Sequence, residues 1–168
     1  MTIKVGDQLP EGKVQEYLEV EAQGCSIGPN TFSVQDLARG KKIVIFGVPG
    51  AFTPTCSTKH VPGYLANYEA LRRKGIDEIW CLAVNDAHVM GAWGREEKAA
   101  GKMRMMADGT GDYTRKLGLE HDFTSGGLGM RSKRFSMLVD DGVVKLLNIE
   151  NGGKLETSDA QTMLRQIG

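Results

Sequence analysis

Ile43-Val44-Ile45-Phe46-Gly47-Val48-Pro49-Gly50-Ala51-Phe52-Thr53-Pro54-Thr55-Cys56 is the stretch around which the chain reads. Ile43 to Phe46 is a continuous apolar run with β-branched residues, as in a strand buried on both faces. Pro49 and Gly50 end it in a turn. Thr53 is a favoured N-cap residue and Pro54 suits the first helical position, so a helix is predicted to start there with Cys56 in its first turn. Backbone N–H groups in that turn lack intrahelical partners, and the helix dipole is positive there. A thiol so placed is biased toward the nucleophilic thiolate.

Downstream, Tyr64, Leu65, Tyr68 and Leu71 share a helix side, and Arg72-Arg73-Lys74-Gly75 is a helix end. Pro62 lacks an N–H and crowds the carbonyl of Thr58, which predicts a kink at Pro62-Gly63. Ile79 to Val84 reads as a second buried strand. Asn85 or Asp86 caps a helix with Val89, Ala92 and Trp93 inward. Met103 to Ala107 reads as a strand, an Asp108-Gly109 turn and a short helix at Tyr113 to Leu117 follow, and Ser125 to Gly129 is loop. Phe135–Val139 and Val143–Ile149, joined through Asp141-Gly142, give a strong hairpin signal. Ser158 is placed to cap a last helix with Ala160, Met163, Leu164 and Ile167 inward. Upstream, Val14, Tyr17, Leu18 and Val20 supply strand segments, Gly24, Gly28, Pro29 and Asn30 mark a turn, and Ser33 caps a short helix over Val34 to Ala38.

From Ile43, with residues 103–131 set aside, the order is βαβαββα. That predicts an α/β chain with a mixed central sheet flanked by helices, carrying an N-terminal extension and an insertion before the final hairpin. It is the thioredoxin-like order, and Thr53-x-x-Cys56 stands where thioredoxins carry C-x-x-C. Residues 1–168 read as one domain of this kind.

Composition narrows the function classes. Lys plus Arg and Asp plus Glu number 21 each, so the net charge is zero and there is no global footprint of nucleic-acid or anionic-membrane binding. No apolar run approaches the roughly 20 residues of a membrane helix. Met1 to Asp7 lacks the apolar core of a signal peptide, which reads as cytoplasmic. Cys25, Cys56 and Cys81 are too few and scattered for a disulfide scaffold, and no paired Cys or His spacing suggests a metal.

Val48 to Cys56 closely resembles the peroxiredoxin active-site signature P-x-x-x-T-x-x-C. Phe46 to Pro54, Val84-Asn85-Asp86, Trp93-Gly94-Arg95 and Lys133-Arg134-Phe135-Ser136-Met137 resemble the type II (five-type) branch. The resemblance runs from Lys4-Val5-Gly6-Asp7 to the hairpin, and it implies a thiol peroxidase acting on hydrogen peroxide and organic hydroperoxides. By position, Cys56 is the peroxidatic cysteine, Thr53 orients peroxide and thiolate, and Arg134 stabilises the thiolate and polarises the substrate. Pro49 shields the pocket, and Thr55 joins Pro49, Thr53 and Arg134 as a substrate contact. No bound cofactor or metal is implied; electrons come from an external thiol. Some type II members carry a resolving cysteine before the last helix, where this chain has Ser158. A one-cysteine cycle is therefore expected, with glutathione and glutaredoxin as reductant and thioredoxin as the alternative. A homodimer is expected from the resemblance alone.

Other features read as ordinary. Cys81, mid-strand, reads as core rather than as a resolving thiol, and Cys25, in a Gly-rich turn, as a weaker but more accessible candidate for resolution. His60, four residues after Cys56, could suggest a Cys-His dyad. Nothing marks a third orienting residue, so it reads as a supporting or interface residue. His88 and His121 read as surface or cap residues, Met103, Met105 and Met106 as packing, and Arg131 with Lys133 as solvated charge. Gly126-Gly127-Leu128-Gly129 neither follows a strand nor opens a helix, so a nucleotide fingerprint is unsupported.

Overall fold

The computed structural model describes residues 1–22 and 24–168. A hairpin of β1 (Lys13–Leu18) and β2 (Gly28–Ser33) leads to α1 (Val34–Ala38), β3 (Lys42–Val48), α2 (Val61–Ala66) and α3 (Tyr68–Arg73). Then come β4 (Glu78–Ala83), α4 (Ala87–Glu97), β5 (Arg104–Ala107), α5 (Asp112–Leu117) and a small ribbon of β6 (Glu120–Asp122) with β7 (Met130–Ser132). The chain closes with β8 (Phe135–Asp140), β9 (Val143–Ile149) and α6 (Ala160–Ile167).

The main sheet has the order β2-β1-β5-β4-β3-β8-β9, with β3, β4 and β5 parallel and the remaining pairs antiparallel. Period-two alternation divides its core. Val44, Phe46, Val48, Cys81 and Ala83 face α2, α3, α4 and α6, where Tyr64, Leu71, Met90, Trp93 and Met163 are buried. Ile43, Ile45, Trp80 and Leu82 face the other way, with Val34, Ala38, Tyr113 and Leu117. Helices on both faces explain why β3 reads as an unbroken apolar run rather than an alternating one.

Several expectations change once tertiary pairing is visible. Gly28-Pro29-Asn30 is not a turn but the start of β2, tolerated because β2 is the edge strand and the missing Pro29 N–H takes nothing from the ladder. Residues 103–131 are not simply an insertion, since β5 lies inside the sheet between β4 and β1. On α4 the buried residues are Ala87, Met90 and Trp93, while Val89 and Ala92 are half-buried. The cap position of α6 is Asp159, one residue past Ser158. The irregularity expected at Pro62 lies just before it: Cys56–His60 is a wide π turn in which the Val61 N–H reaches the Cys56 carbonyl. A second break falls at Asn67.

Register places the functional end of the molecule. β3 and β8 pair Gly47 with Phe135, and β8 pairs Phe135 with Ile149 of β9. Arg134 therefore lies beside the C-terminal end of β3, where the chain turns toward Cys56. Glu150 lies beside Arg134, its N–H bonded to the Arg134 carbonyl at 2.9 Å. Gly47 is required by packing: a Cβ there would sit 2.0 Å from Cε1 of the buried Phe135 ring. Gly47→Ala should destabilise the fold by about 1–3 kcal/mol, the range for forcing extra volume into a packed core. Urea denaturation of the two proteins checks it, and equal midpoints would refute it.

Candidate active site

The loop Pro49–Thr53 joins β3 to the Cys56 turn and is held from outside by Asn85 and Arg131. The Asn85 side chain, read in sequence as a possible cap, accepts from the Ala51 N–H at 2.9 Å, leaving Asp86 to cap α4 through the Val89 N–H. Arg131 donates through Nη1 to the Pro49 carbonyl at 3.1 Å and through Nε to the Leu128 carbonyl at 3.1 Å. It is part-buried and structural, not the solvated charge its basic neighbourhood suggests. A Cβ on Gly50 would lie 2.5 Å from Arg131 Nη1, so the loop and the guanidinium need a glycine between them. Phe52 sits at φ 64°, a strained conformation for a bulky side chain, and is about half exposed near Trp93.

Thr53 occupies the predicted cap position, since its carbonyl accepts the first helical bond from the Ser57 N–H at 2.9 Å. Its side chain does not cap. The Thr53 hydroxyl donates to the Gly50 carbonyl at 2.7 Å, which spends its proton and leaves the oxygen lone pairs as acceptors. The N–H groups of Thr55 and Cys56 precede that first helical bond. Thr55 is half-buried and makes no side-chain capping bond. Trp93 Nε1–H donates to Ser57 Oγ at 3.0 Å, tying α4 to the π turn.

Cys56 is 0% exposed, and Arg134 is buried beside it at 3%. Arg134 Nη2 donates to Cys56 Sγ at 3.2 Å, and Nη1 meets His60 Nδ1 at 2.9 Å. Nε–H, on the same edge of the planar guanidinium as Nη2, is buried and has no partner among the described residues. His60 Nε2 lies 3.0 Å from the Ser158 carbonyl. A carbonyl only accepts and a guanidinium only donates, so His60 is the neutral tautomer with its proton on Nε2. Burial, with the Arg134 charge beside it, pushes His60 down to about 3 from the ordinary 6.5.

The Ser158 carbonyl also accepts from Tyr64 OH at 2.8 Å, and the Tyr64 ring stacks on Phe46 with centroids 4.2 Å apart. Glu150 gathers the segment in front of α6. Its Oε2 accepts from the N–H groups of Glu156, Thr157 and Ser158 and from Ser158 Oγ, at 2.7–2.9 Å. Burial raises the carboxyl, but these donors outweigh it, and Glu150 is held below the usual carboxylate range. Cys81 lies in the core on the same sheet face as Cys56; burial, and then Cys56 nearby, push its thiol well up. Cys25 is half-buried in a tight turn with Ala22.

The structure thus brings Cys56, Thr53, Pro49 and Arg134 to one end of β3. Arg131, Glu150 and the role of Asn85 were missed by sequence reading. Arg131 left only a basic cluster as a signal, and Glu150 left none, because its partners come from a loop six to eight residues on.

Comparison with known proteins shows the family. A model of the Redoxin family matches residues 4–164. The chain is 47% identical over 165 residues to Peroxiredoxin-2B of Arabidopsis thaliana, covering 98% of both chains. It resembles the crystal structure of reduced Prx3 from Vibrio vulnificus in complex with H2O2, with a TM-score of 0.91, 41% identity and coverage of 99% and 100%. A Burkholderia cenocepacia crystal structure, named provisionally as a thioredoxin reductase, has a TM-score of 0.97 and 55% identity over 98% of both chains. The one glycine-rich run of the present chain, Gly126 to Gly129, joins two short antiparallel strands, so it is no dinucleotide fingerprint. With the family model spanning nearly its whole length, this chain belongs to the Redoxin family, as a peroxiredoxin of the type II branch.

Proposed function

We propose that the protein reduces hydrogen peroxide and small organic hydroperoxides at Cys56, in a one-cysteine cycle closed by an external thiol. The observation that carries the reading is the Arg134 edge: Nη2–H is on the sulfur, and Nε–H beside it is buried without a partner among the described residues. An unpaired buried donor costs about 1–3 kcal/mol, and a peroxide oxygen lying against Sγ would satisfy it.

The sulfur lone pair attacks one peroxide oxygen, the S–O bond forms, the O–O bond breaks, and the leaving oxygen departs as alcohol or water after taking a proton. Charge moves from sulfur to the leaving oxygen, so Arg134 and the N–H groups of Thr55 and Cys56 act most strongly in the transition state. The Thr53 oxygen, already a donor to Gly50, accepts the O–H of the peroxide and orients it. Pro49, buried in the loop before Cys56, is assigned the shielding of the sulfur by resemblance. The product is a sulfenic acid, the first and reversible oxidation step.

Regeneration by an external thiol is supported by the other cysteines. Cys81 is held as a buried thiol, whereas disulfide exchange needs a thiolate. Cys25 lies in the β1–β2 connection, and β1 is three strand spacings from β3, about 14 Å. One thiol, as in glutathione, takes the oxygen as water and leaves a mixed disulfide. A second thiol, or glutaredoxin, releases Cys56. Thioredoxin is the alternative reductant, and the homodimer rests on family resemblance.

Cys56→Ser should abolish peroxide consumption with glutathione and glutaredoxin. Arg134→Lys should lower kcat/KM on the order of 10²-fold, as for loss of a transition-state donor, and Thr53→Val should lower it less. Full turnover in Cys56→Ser would sink the reading. After one equivalent of peroxide and then glutathione, intact mass should show one glutathione per chain; an internal disulfide would instead refute the one-cysteine cycle. Stability should also follow pH through His60. The unfolded chain takes up a proton below about 6.5 and the folded one does not until about 3, so stability complete above 6.5 is lost as pH falls. The loss is about 1.4 kcal/mol per pH unit, and Glu150 adds to it in the same direction at lower pH. Urea titrations at several pH values should show this slope in wild type and its loss between pH 6.5 and 5 in His60→Leu.

A further inference from the structure

We propose that the groove between α3, α4 and the sheet binds a small organic anion with an apolar body, at a site separate from Cys56. The groove holds about 710 Å³, within the range of sites for drug-sized ligands. It lies at the N-terminal ends of β4 and β5, where the buried side chains of Ile79, Met103 and Met105 line it. Methionine is the apolar residue that adapts most readily to varied ligands. Pro49 and Cys56 follow the C-terminal end of β3, which runs parallel to β4, as β4 does to β5. The two sites are therefore at opposite ends of the strands. The peroxidase reading makes no use of this groove, and the proposal does not rest on it.

Apolar surface alone would suit many molecules, and the charges select among them. Glu16 and Glu78 are both ion-paired to Arg104, at 2.7 and 3.3 Å, and Glu19 is paired to Arg95. Asp77 turns its carboxylate to the Lys42 N–H at 2.8 Å. Those are the lining carboxylates, and each is engaged. Three lining cations, Arg72, Lys98 and Lys102, have no ion pair among the described residues. Arg72 donates to the Asp77 carbonyl, and the Arg72 and Lys102 charges stand 5.9 and 6.0 Å from the centre of the half-buried Tyr68 ring. Lys98 ends α4 at φ 58° and ψ 45°, a left-handed conformation that glycine takes without strain. The helix end does not need that lysine, because Arg95 in the last turn already complements the dipole. Strained backbone of this kind gathers at ligand sites. Five lining cations face four carboxylates, so a single negative charge balances the groove. That favours a monoanion, its head at the Lys98 and Lys102 side and its body over the methionines.

The probe is anilinonaphthalene sulfonate, a monoanion whose apolar body fluoresces on leaving water, and phenylnaphthylamine, the same body without the sulfonate, is its neutral control. Titrated into the folded wild-type chain, the sulfonate should saturate at one per chain and bind about tenfold more tightly than the amine. Added salt should weaken the sulfonate and leave the amine unchanged. Lys102→Ala should weaken the sulfonate about fivefold, the upper worth of an exposed ion pair. Lys98→Gly should weaken it by a similar factor while raising the urea midpoint, because glycine relieves the backbone strain. Lys98→Arg, which keeps the charge, should bind as wild type does. Peroxide consumption should be the same in all three variants as in wild type, since none touches the Cys56 site. Wild-type affinity in the Lys98→Gly, Lys102→Ala double variant would overturn the proposal, and binding at the exposed Phe52 or Met130 would give that result. Equal affinity for sulfonate and amine, or binding that does not saturate, would overturn it too. Wild type that consumes no peroxide would sink the peroxidase reading and leave this one standing.

Discussion

A guanidinium at 3% exposure, with no carboxylate bound to it among the described residues, is the constraint on which this site depends. Burying a cation carries a penalty of several kcal/mol unless an opposite charge and good hydrogen bonds offset it. Of the groups bonded to the Arg134 side chain, only the sulfur of Cys56 can become an anion. The guanidinium and a sulfur that ionises beside it would each offset the desolvation of the other. Removing either one strands a charge, which makes this pair intolerant of substitution in a way that exposed pairs such as Lys4–Asp7 are not.

The sheet exists, from the site's viewpoint, to deliver three strand ends to one place. β3 ends at the Pro49 loop, β8 begins just after Arg134, and β9 ends just before Glu150. Because side chains alternate along a strand, a one-residue slip of β8 would turn Arg134 toward the opposite face. Gly47 guards against that slip, for its missing Cβ is the space the Phe135 ring fills. Packing at Gly47 and Phe135 thus sets the angle of the buried guanidinium that reaches Cys56.

What could be read from sequence was what local chemistry determines. The β3 run, the Thr53-Pro54 helix start, the Asp141-Gly142 hairpin and the Ser33 cap each depend on a few adjacent residues, and each stands as expected, save that the Thr53 hydroxyl turns to Gly50. What could not be read depends on partners far along the chain. β2 begins with Gly28-Pro29, a turn signal locally, and becomes a strand only because β1 lies beside it. His60 looked like half of a dyad because it is four residues from Cys56. The π turn instead sends it toward Arg134, 74 residues on, and the loop before α6 completes its environment. Arg134 was found through family resemblance, since its own surroundings in sequence are merely basic.

Cys56 has no exposed surface, and it opens a π turn, a wider coil than the helix that follows. A peroxide needs a far smaller opening to reach it than a tripeptide or a protein thiol does. On the proposed cycle, oxidation and reduction then ask for two shapes of the same few residues. The free-energy gap between the packed turn and an opened one enters the turnover rate directly. Each kcal/mol that tightens the packed turn slows a reduction that needs the turn open about fivefold. The lifetime of the sulfenic acid, and with it the chance of a second, irreversible oxidation, is then set by the local stability of one helical turn rather than by the chemistry of sulfur.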